Sequence, residues 1–510
     1  MEIPSLNWLL LACQCMLVSG IDVYTAAVYE HRSILNPSPK IRPTRQSALK
    51  HMKENLNIYQ LQVYEASKQG AKIIVFPENG LYGFNFTRDS IFPYLEPIPD
   101  PTVVKWNPCL HPKAVNDTEV LYQLSCIARY GKMYLIANMG ERQSCKRSDP
   151  WCPSDGRYQF NTDVIFDAEG SIIAKYHKQN LYFEEAFNTP KVVEHVIFNT
   201  PFAGKFGIFT CFDILFYEPA VSLIDNYGVK QIVFPTAWMN QLPLLSAVEF
   251  QQAFATAFGI NLLAANQHHP EYKMTGSGIY TPFASHDYYN MESHEGKLLV
   301  AEVPIITHYN VSSLELKTSQ GTLKFPERHI HIEPSTQLQR WSVQMDQSQQ
   351  FLHAADGLGD IFYSLMMYDN YTFVLMTDLE GDLQVCSNTL CCHLAYQRSH
   401  ASGLYALGAF DGLHTVHGVY YLQVCALVKC PRSSIDTCGQ SATTASDIID
   451  FQLWGNFSTH HIYSEILATE VKLYRADTLE WVNNNFYMTK QGMTEGLITA
   501  ALYGRWYKKD

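Results

Sequence analysis

From Val23 to about Val303, short apolar runs alternate with longer stretches of helical period, and this rhythm limits the fold more than any other feature of the chain. Lys72 to Phe76, Met133 to Ala137, Phe206 to Thr210, Gln231 to Phe234 and Asn261 to Ala265 each read as a buried strand. Gln46 to Gln69 is the clearest helix, with Met52, Leu56, Tyr59, Leu61 and Val63 at broadly helical intervals. Strands alternating with helices imply a layered α/β domain.

The rhythm stops near Ile305. From there to Gly359 the chain is rich in Ser, Gln and His and has no clear period, so residues 305–359 are expected to be an irregular linker or covering segment. Beyond it, Thr372 to Leu375, Gly418 to Leu427 and Phe451 to Trp454 are β-rich with turn residues between. The expected plan is an α/β domain over 21–304 and a smaller, mostly β domain over 360–510. A chain of 510 residues also calls for two domains rather than one. The net charge of −12, with no long basic run, argues against a nucleic-acid partner, because phosphate binding needs a clustered positive surface.

Residues 1–20 read as a signal peptide: Trp8 to Val18 is a short apolar run, closed by the small residues of Val18-Ser19-Gly20. No Lys or Arg precedes the run, which is atypical, and the other reading is a buried N-terminal strand or helix. Asn-X-Ser/Thr sequons at Asn85, Asn116, Asn310, Asn370 and Asn456 suit a secreted glycoprotein. Of the 13 cysteines, Cys13 and Cys15 leave with the signal. The rest form an early set (Cys109, Cys126, Cys145, Cys152) and a late set (Cys386, Cys391, Cys392, Cys425, Cys430, Cys438), both even. Cys211 stands alone between them. An oxidising compartment would pair most of these and leave one over. The chain ends in Tyr503-Gly504-Arg505-Trp506-Tyr507-Lys508-Lys509-Asp510, which is not the apolar tail of a lipid-anchor signal, so no membrane anchor is expected.

Two expected strands end in reactive groups. Phe206 to Thr210 runs into Cys211, and Lys72 to Phe76 runs through Pro77 into Glu78. In α/β folds functional groups collect at the carboxyl ends of strands, which suggests one edge of one sheet. A carboxylate can take a thiol proton, but a nearby cation is needed to favour the thiolate. Lys178, in Tyr176-His177-Lys178, is the candidate, and it is also a donor for an oxyanion. Each residue has a bland reading: a small buried hydrophobe for Cys211, a helix cap or solvated carboxylate for Glu78, a surface lysine for Lys178. His268-His269 and the His414/His417 pair come without a His-Glu-X-X-His or a further ligand cluster, so no metal is expected.

Phe76-Pro77-Glu78, Tyr176-His177-Lys178 and Phe209-Thr210-Cys211-Phe212-Asp213 occur in the order and context of the nitrilase (carbon–nitrogen hydrolase) superfamily, which this chain resembles. The resemblance implies a four-layer αββα sandwich. It places the catalytic glutamate, lysine and cysteine on Glu78, Lys178 and Cys211. Glu184 or its neighbour Glu185 would match a further glutamate often found beside the site, with Glu184 taken as a substrate-side residue. Ala26-Ala27-Val28-Tyr29-Glu30-His31, Asp155-Gly156-Arg157-Tyr158-Gln159-Phe160-Asn161, Pro235-Thr236-Ala237-Trp238-Met239-Asn240 and Gly408 to Val416 look like the biotinidase/vanin branch. Ala255 to Asn261, Leu263-Ala264-Ala265-Asn266 and Leu453 to Thr459 are similar to its biotinidase side. Only about Ile305 to Gly359 departs.

The resemblance implies hydrolysis of linear amides through a cysteinyl thioester, with no cofactor. Glu78 is the proton acceptor, Lys178 the proton donor or oxyanion stabiliser, and Cys211 the nucleophile and therefore the one free thiol. Trp238, Met239 and Asn240 would line the acyl pocket. The substrates implied are biotin amides such as biocytin (biotinyl-lysine) and biotinyl peptides. The alternatives are pantetheine hydrolysis by the same chemistry and a non-catalytic biotin carrier, which would need none of the three groups.

Overall fold

The computed structural model describes residues 22–306, 316–318, 321–323 and 361–510. The expected signal peptide and the Asn310 sequon lie outside these residues.

The first domain is built on two sheets. One is eight-stranded, in the spatial order 321–323, 316–318, 297–304, 23–30, 73–75, 134–144, 157–166, 172–177. The other is six-stranded, in the order 285–288, 277–280, 261–265, 231–235, 204–208, 197–200. Each sheet has a parallel centre: Val23–Glu30, Ile73–Val75 and Tyr134–Ser144 in the first, Gly204–Ile208, Gln231–Pro235 and Asn261–Ala265 in the second. Side chains alternate across a strand, and here both faces are apolar. Val28, Ile73, Val75 and Ile136 pack against Ile208, Val233 and Leu263 of the second sheet. Ala27, Ile74, Leu135 and Ala137 pack on the opposite side against Met52, Leu56, Tyr59 and Val63 of helix α1 (Arg45–Lys68) and Leu121 and Leu124 of α2 (Glu119–Gly131). Strands covered on both faces read as continuous apolar runs, which is why they stand out in the sequence. Helix α3 (Ala247–Phe258) covers the outer face of the second sheet, completing the αββα order.

The segment expected to be irregular contributes structure. Leu316–Thr318 and Gly321–Leu323 form a hairpin that joins the first sheet, with Thr318 opposite Ala301. Three-residue strands leave too short a run for a period to register.

The second domain is an all-β sandwich. A seven-stranded sheet (361–366, 369–376, 404–414, 420–430, 497–505, 462–468, 472–473) packs on a five-stranded one (380–387, 390–398, 449–455, 485–490, 478–482). Leu407, Leu427 and Leu502 of the first meet Leu394, Leu453 and Met488 of the second in its core. Cys386–Cys391, Cys392–Cys425 and Cys430–Cys438 are bridged here, and Cys109–Cys126 and Cys145–Cys152 in the first domain. Cys392–Cys425 joins the two sheets of the sandwich. Cys211 is free, so the pairing follows the even early and late sets. No helix among the described residues is long and apolar enough to cross a membrane.

The domains meet over α3, whose Phe250 and Phe254 pack on Tyr463 of the second domain. Arg505, fully buried, donates from Nε to the carbonyl of Leu215, in the turn that follows Cys211.

Candidate active site

Glu78 and Lys178 follow strands Ile73–Val75 and Ile172–His177 of the first sheet, whereas Cys211 follows Gly204–Ile208 of the second. The expectation of one edge of one sheet is therefore corrected. The three groups converge between two sheets stacked face to face, at a common end. Sequence periodicity marks a strand but carries no information on which sheet it joins.

Lys178 Nζ lies 2.6 Å from Glu78 Oε1 and 2.5 Å from Glu184 Oε2. Asn161 Nδ2 donates to both carboxylates, 2.8 Å to Glu78 and 2.5 Å to Glu184. Glu78 Oε2 accepts from the Ala237 N–H at 3.1 Å. Glu78 and Lys178 are almost completely buried. Of the two adjacent glutamates, Glu184 joins this cluster and Glu185 is exposed.

Cys211 opens a short turn, Cys211–Leu215, with φ of 47°. A left-handed conformation at a residue with a Cβ costs on the order of 1–3 kcal/mol and persists only where surrounding bonds enforce it. Asp213 supplies them. Its Oδ2 accepts from the Thr210 N–H at 3.0 Å and the Tyr176 hydroxyl at 2.6 Å, and its Oδ1 from the backbone and side-chain amides of Asn180. The turn holding Cys211 is thus fastened to the segment holding Lys178. A second chain runs from the Thr210 hydroxyl to Asp163, from Asn138 to Asp163 and Asn161, and on to Glu78. Burial pushes the Asp163 carboxyl up to about 7.

The charges set the resting protonation. Burial works against the Lys178 ammonium, but Glu184 and Glu78 outweigh it and hold its pKa well above the ordinary lysine value. Burial raises the Cys211 thiol strongly and Glu78 raises it further, while Lys178, the Thr236 hydroxyl and the Ala237 N–H pull it down. The net direction is upward. Lys178 therefore lowers the thiol pKa as expected, yet the resting group is a neutral thiol that needs a base at the moment of attack.

Cys211 opens onto a pocket whose lining includes Phe212, Leu215, Trp238, Met239 and Leu245 of the first domain and Tyr371, His417 and Leu422 of the second. Trp238 and Met239 stand where the sequence places them. Asn240 does not line this pocket. Its amide donates to the carbonyls of Lys273 and Thr275 and accepts the Ala247 N–H at the start of α3, so its role is structural. No group of three or more His, Cys, Asp or Glu side chains among the described residues is arranged to hold a metal ion. His268 is paired with Glu30, and His414 with Asp369.

Sequence reasoning gave no role to Asn138, Asn161, Asp163 or Asp213. Asn161 and Asp213 lie inside segments that carry the family resemblance. Asn138 interrupts the apolar run Leu135 to Met139, and a polar residue inside a buried strand must find hydrogen bonds, which was the available signal.

Known proteins resemble this chain over nearly its whole length. A family model described as carbon–nitrogen hydrolase matches residues 25–273, and a model of the vanin C-terminal domain matches residues 361–510. Biotinidase of Mus musculus is 52% identical over 500 residues, covering 96% of this chain and 94% of that protein. Pantetheinase of Bos taurus is 44% identical over 499 residues, covering 96% and 91%. Among solved structures, an amidase from Nesterenkonia sp. aligns over 57% of this chain and 93% of its own, at 19% identity and a TM-score of 0.38.

Proposed function

Since the chain belongs to the biotinidase/vanin branch of the nitrilase, or carbon–nitrogen hydrolase, superfamily and is an amide hydrolase, we propose that Glu78, Lys178 and Cys211 are its catalytic residues and that biotin amides are its substrates. The observation that carries the catalytic reading is the convergence of a buried ammonium, a carboxylate and an unpaired thiol, with the thiol itself lining a pocket.

Glu78 takes the Sγ proton as the thiol attacks the amide carbonyl, forming the C–S bond and a tetrahedral oxyanion. Lys178 and the backbone N–H of Phe212 stabilise that oxyanion. The carbonyl re-forms as the C–N bond breaks, and the Glu78 proton passes to the departing amine. Glu78 then takes a proton from water as its oxygen attacks the thioester. Collapse releases the acid and returns the proton to Cys211. Glu184 and Asn161 hold Lys178 and Glu78 in register as positioning residues.

The substrate reading rests on identity over nearly the whole chain, 52% to a biotinidase against 44% to a pantetheinase. A carrier would need none of the three groups. Measuring biocytin and pantetheine hydrolysis side by side tests it. A higher kcat/KM for biocytin is expected, and a higher value for pantetheine would replace biotin by pantothenate as the acyl group.

Secretion and glycosylation are part of the same proposal. Five disulfides suit an oxidising compartment, and Asn85, Asn116, Asn370 and Asn456 are exposed. Asn456 differs from the others. Its Nδ2 donates to the Thr389 carbonyl and its Oδ1 accepts the Cys391 N–H, so a glycan there must displace a local hydrogen bond. Mass analysis before and after glycan removal reads out each site.

A further inference from the structure

The pocket in front of Cys211 has walls from two domains, and their chemistry differs. The first-domain wall is mainly apolar, Tyr182 and Gln241 apart, and the Trp238 indole N–H is spent on the Leu245 carbonyl at 3.0 Å. The second-domain wall carries polar atoms that are not spent. Tyr371 lines the pocket, is completely buried, and its hydroxyl has no hydrogen-bond partner. His417 lines it too, and its buried Nδ1 likewise has none. Buried hydroxyls left unpaired are rare, because the group gives up its bonds to water and gains nothing in return.

The backbone of this wall is held in an unusual shape. Met367 and Tyr368, the tip of the hairpin joining Ile361–Met366 to Asp369–Met376, both have positive φ (53° and 71°), as does His417 (63°). Two-residue hairpin turns of this kind favour Asn and Gly, yet here they carry large side chains. Tyr368 and His417 pack edge to face at 4.9 Å, and His417 packs in the same way on Phe183 and Tyr182 beside Cys211. Strained backbone that positions side chains in a cleft points toward function.

We infer that the second domain selects the acyl group: Tyr371 is a specificity-determining residue whose hydroxyl bonds a neutral polar group at the far end of the acyl chain, with His417 as a second contact. The neutrality follows from the lining, which contains no Asp, Glu, Lys or Arg to balance a charge. An acyl group with an apolar arm and a hydrogen-bonding, uncharged end matches these two kinds of lining. This rests on the amide-hydrolase reading with a biotinyl acyl group, whose ureido ring offers a carbonyl to the phenol.

The test compares three amides of lysine that share a leaving group: biotinyl, pantothenoyl and plain valeryl. In Tyr371→Phe, kcat/KM for the biotinyl amide should fall about tenfold, mainly through KM, while the valeryl amide stays within about twofold. The rate of Cys211 alkylation by iodoacetamide should not change. Equal losses on biotinyl and valeryl amides, or no loss on either, would overturn the inference. The substrate reading fails separately, in the wild type, if the pantothenoyl amide is the faster. The same variant is then judged by pantothenoyl against valeryl, with selective loss supporting the inference and equal loss overturning it. If Tyr371→Phe does not accumulate as folded protein, His417→Leu, on a partly exposed loop, is compared over the same amides. A loss of about threefold confined to polar-ended acyl groups supports the inference, and a uniform change overturns it.

Discussion

The active-site cluster of the first domain and the sandwich core of the second bury opposite kinds of group. Around Cys211 the first domain buries Glu78, Asp163, Lys178 and Asp213, all tied by hydrogen bonds of 2.5–3.1 Å. The second domain's core is leucine, valine, methionine and aromatic side chains between two sheets joined by a disulfide. Burying ion pairs adds little net stability, because desolvation offsets the attraction. Apolar burial and cross-linking add a good deal. The difference teaches a division of labour: one domain carries charge where chemistry needs it, and the other supplies a rigid wall and a latch, Arg505 on Leu215, for the turn that holds the nucleophile.

The largest effects should come from the charged cluster, and they should separate chemistry from stability. Glu78→Gln should lower kcat by about 10³-fold or more. Because Glu78 raises the Cys211 thiol pKa, the same variant should alkylate more readily at neutral pH while turning over less. Activity that survived in a variant with a more reactive thiol would remove Glu78 as the base. Lys178→Met should also abolish turnover, but with the opposite thiol response and a stability loss of about 3–5 kcal/mol, since Glu78 and Glu184 would be left facing each other without a cation. Thermal unfolding and iodoacetamide kinetics on the two variants check both signs.

The second domain should respond the other way round. Replacing Cys392 and Cys425 together by Ala should cost about 2–4 kcal/mol of stability, because the bridge closes a long loop and joins two sheets. The kcat of the molecules that remain folded should be close to wild type. A parallel loss of kcat at temperatures well below unfolding would show that the sandwich is part of the catalytic machinery rather than its support.

How much was legible before the fold follows the same divide. The buried parallel strands announced themselves because both faces are covered, and Ile73, Val75 and Ile208 leave no polar residue to blur the run. Glu78 and Cys211 follow such strands, Lys178 follows the antiparallel edge strand Ile172–His177, and all three carry a family resemblance, so they were readable together. The free thiol was readable from parity. What could not be read was contact across long separations. Nothing in the spacing says that Glu78 and Cys211 lie on facing sheets, or that Tyr371 reaches a pocket opened by a residue 160 positions earlier. Asn240 shows the converse: it sits in a resembling segment beside Trp238, yet local backbone carbonyls capture its amide first.

The smallest effect, a slope, lies at the seam between the domains. Glu249 on α3 and Glu465 on strand Ile462–Ala468 are both buried, and neither Glu465 oxygen has a hydrogen-bond partner among the described residues. Burial pushes Glu249 up to about 8, and burial together with the Glu249 charge raises Glu465 well above the ordinary carboxylate value. The sign follows from the ordinary value of 4.5 in an unfolded chain. As pH rises above that value, the unfolded chain loses these protons while the folded chain keeps them, so stability is full below about 4.5 and is lost progressively toward about 8. Each such proton is worth at most about 1.4 kcal/mol per pH unit. Glu465→Gln removes one titrating group and keeps its shape, so unfolding free energy plotted against pH should flatten between pH 5 and 8 by up to about that amount per unit. The variant should match wild type near pH 4.5 and exceed it at pH 8. His177 provides an internal reference. Although burial opposes its charge, Glu141 and Glu194 hold it up at about 9, and the decline in stability as pH rises through that region should persist in the variant. A slope between pH 5 and 8 identical to wild type would mean that the interdomain pair is ionised in the folded state.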